Sequence, residues 1–362
     1  MRILGIESSC DDTSVALLDC SKKGFFVLSE KTASQIAIHE KYGGVVPEIA
    51  GRMHAEKIAP LIEEALKGQE RPEAIAVATG PGLITGLIVG TEAARALSYA
   101  WDIPVVSLNH LEGHIHSVEI GNPQIIYPSL ALVVSGGHTE LIYIKEQGKY
   151  KVLGQTKDDA AGECFDKVAK LLELPYPGGP QISQLAATGD TTAIDFPRPM
   201  IRENNFDFSF SGLKTSALYW LRDNSLVIAR NAVTKQSPAT QIETKGSPCR
   251  SAPRDDTTIN DFCASFEQAI VDVLVIKTIK AAVKYEPKTI ILAGGVSANK
   301  KLRKTLEEII KKEQPSAVFL SPELKYCMDN AVMIAVAGYY HALKKDFTSW
   351  AKLSADPNWE LT

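Results

Sequence analysis

A formal net charge of −4 over 362 residues, with a pI near 6.0, excludes a whole-molecule basic field, so any nucleic acid must be held by a local patch or a partner's surface. Hydrophobic residues at 45% and charged residues at 23% are ordinary for a globular chain long enough for two lobes, and no apolar run approaches the ~20 residues of a membrane span. Cys10, Cys20, Cys164, Cys249, Cys263 and Cys327 form no C-x-x-C pair, and MRILGIESSC is too poor in apolar residues for a signal peptide, so a reducing cytoplasm is the expected compartment.

The chain opens with ILGIE, a buried-strand pattern, then SSCDDT as a turn and SVALLD as a returning strand. Pro47 to Lys67 carries helical periodicity through Ile49, Met53, Ile58, Leu61, Ile62 and Leu66. AIAVAT reads as a short buried strand, GPG (Gly80 to Gly82) as a turn, LIVGTEAARALSYAW as a helix and PVVSLN as the next strand.

NHLEGHIHS follows. His110 and His114 stand at i and i+4, on one face of a helix, where two imidazoles reach one metal ion. Two histidines at that spacing also occur as plain polar residues on an exposed face. The metalloprotease helix H-E-x-x-H needs its Glu directly after the first His; here that place is Leu111, and Glu112 lies about 100° further round the helix. A peptidase mechanism is therefore disfavoured.

LALVVS, GGHT and ELIYI then repeat the strand-turn-strand opening at an offset of roughly 125 residues, the mark of an internal duplication. Two lobes, 1–125 and 126–362, with a cleft between them are expected. AAGECFDKVAKLLEL is an amphipathic helix ended by YPGGP, and SGLKTSALYWL and DFCASFEQAIVDVLVIKTI are helices. Between those two, 227–258 is rich in Ser, Thr, Pro and basic residues without an aromatic, and reads as a flexible surface insertion whose excision (231–253) should leave activity nearly intact. TIILAGG is a strand, SANKKLRKTLEEIIKK a helix, AVFL a strand, and NAVMIAVAGYYHALK a closing helix expected to pack back on the first lobe. The alternation is the α/β pattern. The lysines and arginine of the helix Asn299 to Lys312 form a candidate basic patch, which the neighbouring glutamates read more simply as a solvated face.

Three glycine turns follow buried strands: Gly80 to Gly82, Ser135 to Gly137, and Gly294 with Gly295. Glycine lets backbone approach an anion closely, and helix N-termini favour phosphate, so together the turns predict a nucleotide-like ligand. Glu7, Asp11, Asp12, Asp166 and Asp329 lie beside these turns. Asp329 precedes a helix and reads locally as an N-cap. With the two imidazoles it would instead complete a 2-His-1-carboxylate set suited to Fe(II) or Zn(II).

The ordered series ILGIESSCDDTSVALL, GGVVPEIAGRMH, NHLEGHIHS, LVVSGGHTEL, GECFDKVAKLL, YPGGP, FSFSGLKTS, GGVSANKKLR and CMDNAVMIA resembles the bacterial tRNA adenosine threonylcarbamoyltransferase family, related to the catalytic subunit of the KEOPS complex and once labelled O-sialoglycoprotein endopeptidases. The resemblance covers nearly the whole chain outside the insertion. It implies the two-lobed actin/Hsp70/sugar-kinase-like fold. It implies a divalent metal, usually iron, on His110, His114 and Asp329. It implies a substrate site formed by the loop Val133, Val134, Ser135, Gly136 and Gly137 with Asp166, Gly179 and Asn299. The implied reaction moves a threonylcarbamoyl group from threonylcarbamoyl-AMP to the exocyclic amine of the adenosine 3′ of the anticodon, and Asp11, in the first turn, is the candidate to orient or deprotonate that amine. The implied partners are tRNA, a paralogous dimerisation subunit and a small P-loop ATPase. Two departures stand out: Asp11-Asp12 where the family often has Asp-Glu, and Ser183 where many members have Asp. An ATP-dependent kinase or a chaperone-like ATPase on the same fold remains the alternative.

Overall fold

The computed structural model describes residues 1–224 and 258–361. The predicted insertion 227–258 lies outside the described residues, apart from Thr258.

The molecule is built on two five-stranded sheets of one topology. The first has the order β3-β2-β1-β4-β5, from β1 (Arg2–Glu7), β2 (Asp12–Ser21), β3 (Gly24–Ser34), β4 (Ala74–Gly80) and β5 (Val105–Asn109). The second has the order β10-β9-β6-β7-β8, from β6 (Ser129–Val134), β7 (Thr139–Glu146), β8 (Lys149–Gln155), β9 (Thr289–Ala293) and β10 (Val318–Leu320). In each, the first three strands of the repeat are antiparallel and the last two join in parallel. The duplication expected from the two openings is therefore present strand for strand. Sequence patterning passed over β3 and β8. Both are outer strands of half-exposed, mixed composition (GFFVLSEKTAS and KYKVLGQ), so neither a buried run nor a clean alternation marks them.

Among the described residues the α-helices are α1 (Ile36–His39), α2 (Pro47–Leu66), α3 (Ile84–Trp101), α4 (His110–His116), α5 (Ala161–Leu171), α6 (Gly178–Ala186), α7 (Ser211–Asp223), α8 (Ile259–Tyr285), α9 (Lys300–Glu313) and α10 (Ala331–Leu343). The glycines of YPGGP end nothing further: α5 stops at Leu171 and α6 starts within that motif. Helix α8 starts with a capping box in which Thr258 and Asp261 satisfy each other's backbone N–H groups.

Helix α10 is apolar nearly all round and crosses back to the first sheet. Ten of its 13 residues are buried, packing with Ile3, Ala16, Leu18, Ala76, Val106 and Leu108. Gly338 permits the approach, because a Cβ there would run into the Ala76 side chain of β4. Gly113 of α4 plays the same part opposite, where a Cβ would lie 2.7 Å from Ile334 Cδ1 of α10. Leu111, Ile115 and Val118 face the other way and pack with Ala131, Val133, Ile291 and Ala293 of the second sheet. The short histidine helix is thus wedged between the two sheets, and every residue in it is buried.

Among the described residues no helix is long and apolar enough to cross a membrane. The basic helix α9 is a solvated face: Lys311 pairs with Glu307 at 2.6 Å, Lys304 lies 4.0 Å from Glu308, and Arg303 turns inward to Ser321 and Pro322. Such exposed pairs add little stability and leave little unbalanced charge.

Candidate active site

The histidine helix follows β5 directly, and Asn109 caps it by accepting the Leu111 N–H at 2.9 Å. This puts His110 and His114 one turn apart with ring centroids 4.6 Å apart and rings nearly perpendicular. Asp329 comes from the loop before α10. Its Oδ1 is 3.4 Å from His110 Nε2 and 3.2 Å from His114 Nε2. The local reading of Asp329 as an N-cap is wrong: Asn330 caps α10 by accepting the Met333 N–H at 2.9 Å, leaving the Asp329 carboxylate to the imidazoles. Asp329 thus meets two histidines that lie more than 200 positions before it in sequence.

The donor set fits a metal. Two donors about 2.1 Å from one ion, at angles of 90–110°, are about 3.0–3.4 Å apart, and the two Asp329–imidazole separations fall at that value. All three ligand atoms lie within 4.8 Å of one another. His114 is fully buried, and neither of its ring nitrogens makes an aligned hydrogen bond to protein, a costly state for a group with nothing to bind. Burial lowers the His114 pKa, which favours the neutral ligand form. Burial also opposes charge on His110, but Glu7 and Asp329 outweigh it and hold that pKa well above the usual histidine value. Burial likewise opposes ionisation of Asp329, and His110 and His114 overcome it, keeping the carboxyl well below its ordinary range.

Sequence reading gave no orienting role to the residues behind this set. Glu7 at the end of β1 is fully buried; its Oε2 accepts from His110 Nδ1 at 2.9 Å and its Oε1 accepts the Ser9 N–H at 2.6 Å. Ser9 Oγ is 3.0 Å from the same Nδ1. A carboxylate behind a ligating imidazole fixes its tautomer, keeping the proton on Nδ1 and leaving Nε2 as the nitrogen that would bind a metal. His138, in the quoted LVVSGGHTEL motif, is also at this end of the cleft. Burial, then His110 and His114, push its pKa down to about 4. A cavity of about 510 Å³ opens beside it, between β7, β8 and Pro357 to Leu361. The other polar residues of α4 point elsewhere: Glu112 accepts from Tyr150 at 2.6 Å and lies 3.1 Å from His341 Nε2, while His116 pairs with Glu119 at 2.8 Å. Glu112 is held by its own partners, which removes the peptidase base in space as well as in sequence.

The glycine turns divide. Gly80 and Gly82 are filled by protein, since Cβ atoms there would strike the Asp356 carbonyl and the Ser9 carbonyl. That turn is a packing joint with the C-terminal segment, and close protein packing rather than an anion accounts for its glycines. Gly294 is likewise structural, with φ of 86° and the Val134 backbone beneath it. Gly136 and Gly137 are the open pair: neither has positive φ, and a Cβ on either would meet nothing within 4 Å. Their turn is pinned by Ser135 N–H to His138 O at 2.8 Å and by His138 N–H to Ser135 Oγ at 3.0 Å. It offers exposed backbone without a side-chain wall. Val133 and Val134 are fully buried in β6, paired with β7 and, at Val133, also with β9, so unlike Gly136 and Gly137 they expose no surface for the predicted ligand contact.

Asp11 connects the two ends of the site. Burial raises its pKa and Asp329 adds to this, and Asp11 in turn raises the pKa of Asp166, behind the larger effect of burial. Asp12 is pushed up to about 7, chiefly by burial, and its Oδ1 is buried without a hydrogen-bond partner. Asp166 on α5 accepts the Gly178 N–H at 2.7 Å at the start of α6, beside Gly179. Asn299, the cap of α9, reaches Ser183 on α6 at 3.0 Å and so joins the same end. The predicted residues are therefore linked in sequence through the site: Asp329 of the metal-type triad acts on Asp11, Asp11 on Asp166, and Asp166 and Asn299 both bond to α6.

The fold recurs in solved proteins of very different sequence. Full-length HypF in its phosphate- and nucleotide-bound form aligns with a TM-score of 0.56 at 12% identity, over 95% of this chain and 55% of that one. HypF from T. kodakarensis aligns at 0.57 and 13%, over 97% and 49%. The closer relationship is in sequence. The tRNA N6-adenosine threonylcarbamoyltransferase of Geotalea daltonii is 44% identical over 100% of this chain and 97% of its own length. That of Bacillus subtilis is 43% identical over 100% and 96%. The sequence model of the same family matches residues 26–336, which contain both histidines, Asp329 and the open glycine turn. With the family's sequence model and full-length identity agreeing, the chain belongs to the tRNA N6-adenosine threonylcarbamoyltransferase family.

Proposed function

We propose that this chain transfers the threonylcarbamoyl group of threonylcarbamoyl-AMP to the exocyclic amine of the adenosine 3′ of the anticodon, in tRNAs reading codons that begin with A, and releases AMP. The observation that carries the residue assignments is a His-His-Asp set, with His114 buried and unbonded, on the same side as His138 and the open glycine turn it closes. His110, His114 and Asp329 hold one divalent ion, Fe(II) in our reading, with Zn(II) compatible with the same donors. Bound there, the ion supplies Lewis-acid stabilisation of oxygen charge in the donor. The backbone at Ser135, Gly136 and Gly137 receives the donor's anionic part, and Asp166, Gly179 and Asn299 hold its nucleoside. Fixing donor and amine together removes much of the entropic barrier.

In the step itself the amine nitrogen attacks the carbamoyl carbon. The C–O bond to phosphate breaks with its electron pair on AMP, and the nitrogen loses one proton. Asp11, between the triad and Asp166, accepts that proton. General-base help is worth about 10²–10⁴-fold, so Asp11→Ala should slow turnover by that order; full turnover would remove the role. The chain works in the cytoplasm with a paralogous dimerisation subunit and a small P-loop ATPase, whose surfaces supply the basic field that a chain of net charge −4 lacks. The test is a reconstituted assay with tRNA, threonylcarbamoyl-AMP and those partners. Modified adenosine is expected, and its absence with folded, metal-loaded protein would refute the assignment.

A further inference from the structure

At the far end of the site from the histidines, three side chains from α6, α8 and the cap of α9 close on one another. Ser183 Oγ donates to Glu267 Oε1 at 2.6 Å. Asn299 Nδ2 donates to the same oxygen at 2.7 Å and to Ser183 Oγ at 3.0 Å. Asn299 Oδ1 accepts the Leu302 N–H at 2.8 Å, which fixes the amide orientation. The Glu267 side chain is only 5% exposed, and its other oxygen is 4.0 Å from Lys301 Nζ. A buried carboxylate on the apolar α8 is costly and persists only with partners, and Ser183 and Asn299 are its close ones.

This contact decides what Ser183 presents to a ligand. A serine hydroxyl has one proton and two lone pairs. Here the proton is committed to Glu267 and one lone pair to Asn299, so the remaining capacity is acceptor only. An aspartate at this position would also be acceptor only. We infer that Glu267 is a donor-positioning residue: it supplies from α8 the negative charge absent at position 183, and so holds Ser183 and Asn299 to accept and orient the sugar hydroxyls of the adenylate. The inference rests on the adenylate-donor reading above.

The test is steady-state kinetics of the full chain with its partners, with KM measured separately for threonylcarbamoyl-AMP and for tRNA. Losing one charge-assisted contact is worth about a tenfold change, so Glu267→Gln should raise the donor KM about tenfold and leave the tRNA KM unchanged. Ser183→Asp alone sets two carboxylates against each other and should also raise the donor KM. The pair S183D/E267Q should restore it, because the carboxylate introduced on α6 would then accept from both the Asn299 amide and the glutamine amide introduced on α8. A donor KM unmoved by Glu267→Gln, or a double variant no better than Ser183→Asp, would overturn the inference while the wild-type chain still modifies tRNA. If Glu267→Gln does not fold, the comparison of Ser183→Asp with the double variant decides alone. A wild-type chain that makes no modified adenosine refutes the functional reading itself, and this inference with it.

Discussion

Replacing Glu7 with glutamine changes one atom in the fully buried group behind His110 and tests how that imidazole is aimed. In the native arrangement Oε2 accepts from His110 Nδ1 at 2.9 Å and Oε1 accepts the Ser9 N–H at 2.6 Å. Glutamine has one acceptor oxygen. If it stays on the Ser9 amide, the NH₂ group faces His110 Nδ1 and forces the proton onto Nε2, the nitrogen that faces Asp329. If the amide flips, the Ser9 N–H is left facing a donor. Either way the ligand tautomer or its support is lost without opening a cavity. Loss of a partner behind a metal ligand typically costs 10–100-fold in affinity, about 1.4–2.7 kcal/mol, in the range of one buried charge-assisted hydrogen bond. Competition with a chelator under anaerobic conditions measures it for Fe(II) and Zn(II). Glu112→Gln is the control: equally buried and on the same helix, but bonded to Tyr150 and His341, it should leave metal affinity alone. Native affinity in Glu7→Gln, or an equal loss in Glu112→Gln, would refute the argument.

Three further outcomes follow from the geometry. His110→Ala and Asp329→Ala should each abolish stoichiometric metal binding in elemental analysis; normal metal content in either would show the ligand assignment wrong. His341 is raised to about 9 because Glu112 and Asp346 outweigh its burial. Raised above the unfolded value of about 6.5, its pairing contributes stability that is full below that pH and is lost as pH rises through about 9, an effect of order 2–3 kcal/mol. Denaturant unfolding of His341→Gln should therefore be less stable than wild type at pH 6 and converge with it near pH 10; a constant difference would locate the effect in packing. Gly338→Ala forces α10 away from Ala76, and this overpacking of about 1–3 kcal/mol should exceed the gain of about 1 kcal/mol in helix propensity; an unchanged or higher Tm would refute the close approach.

Much of this molecule was legible in one dimension because the relevant signals are local. Buried strands such as AIAVAT and helices such as Pro47–Leu66 are encoded by neighbours, and repetition of the strand-turn-strand opening is visible without knowing how the sheets pair. The i, i+4 histidines and the leucine between them likewise allow a metal reading, and disfavour a protease one, from local sequence alone. The edge strands β3 and β8 escaped, because a half-exposed strand hydrogen-bonded on one side needs no apolar pattern, whereas the edge strands β5 and β10 kept enough apolar residues to be read.

What tertiary structure decided is which local possibilities were realised. Asp329 and Asn330 are both plausible caps in sequence; only the return of α10 across the first sheet gives the cap to Asn330 and the carboxylate to the histidines. Three glycine turns look alike in sequence; only packing shows that two are filled by protein and that Gly136 and Gly137 face open space. Glu7 behind His110 and Glu267 behind Ser183 are partners 103 and 84 residues apart, and no spacing rule reaches that far. The sequence by itself determined the elements, the duplicated fold and the kind of chemistry, since these depend on periodicity and residue type. The chain's path through space determined which polar groups are left without protein partners, and that burial makes those groups a site.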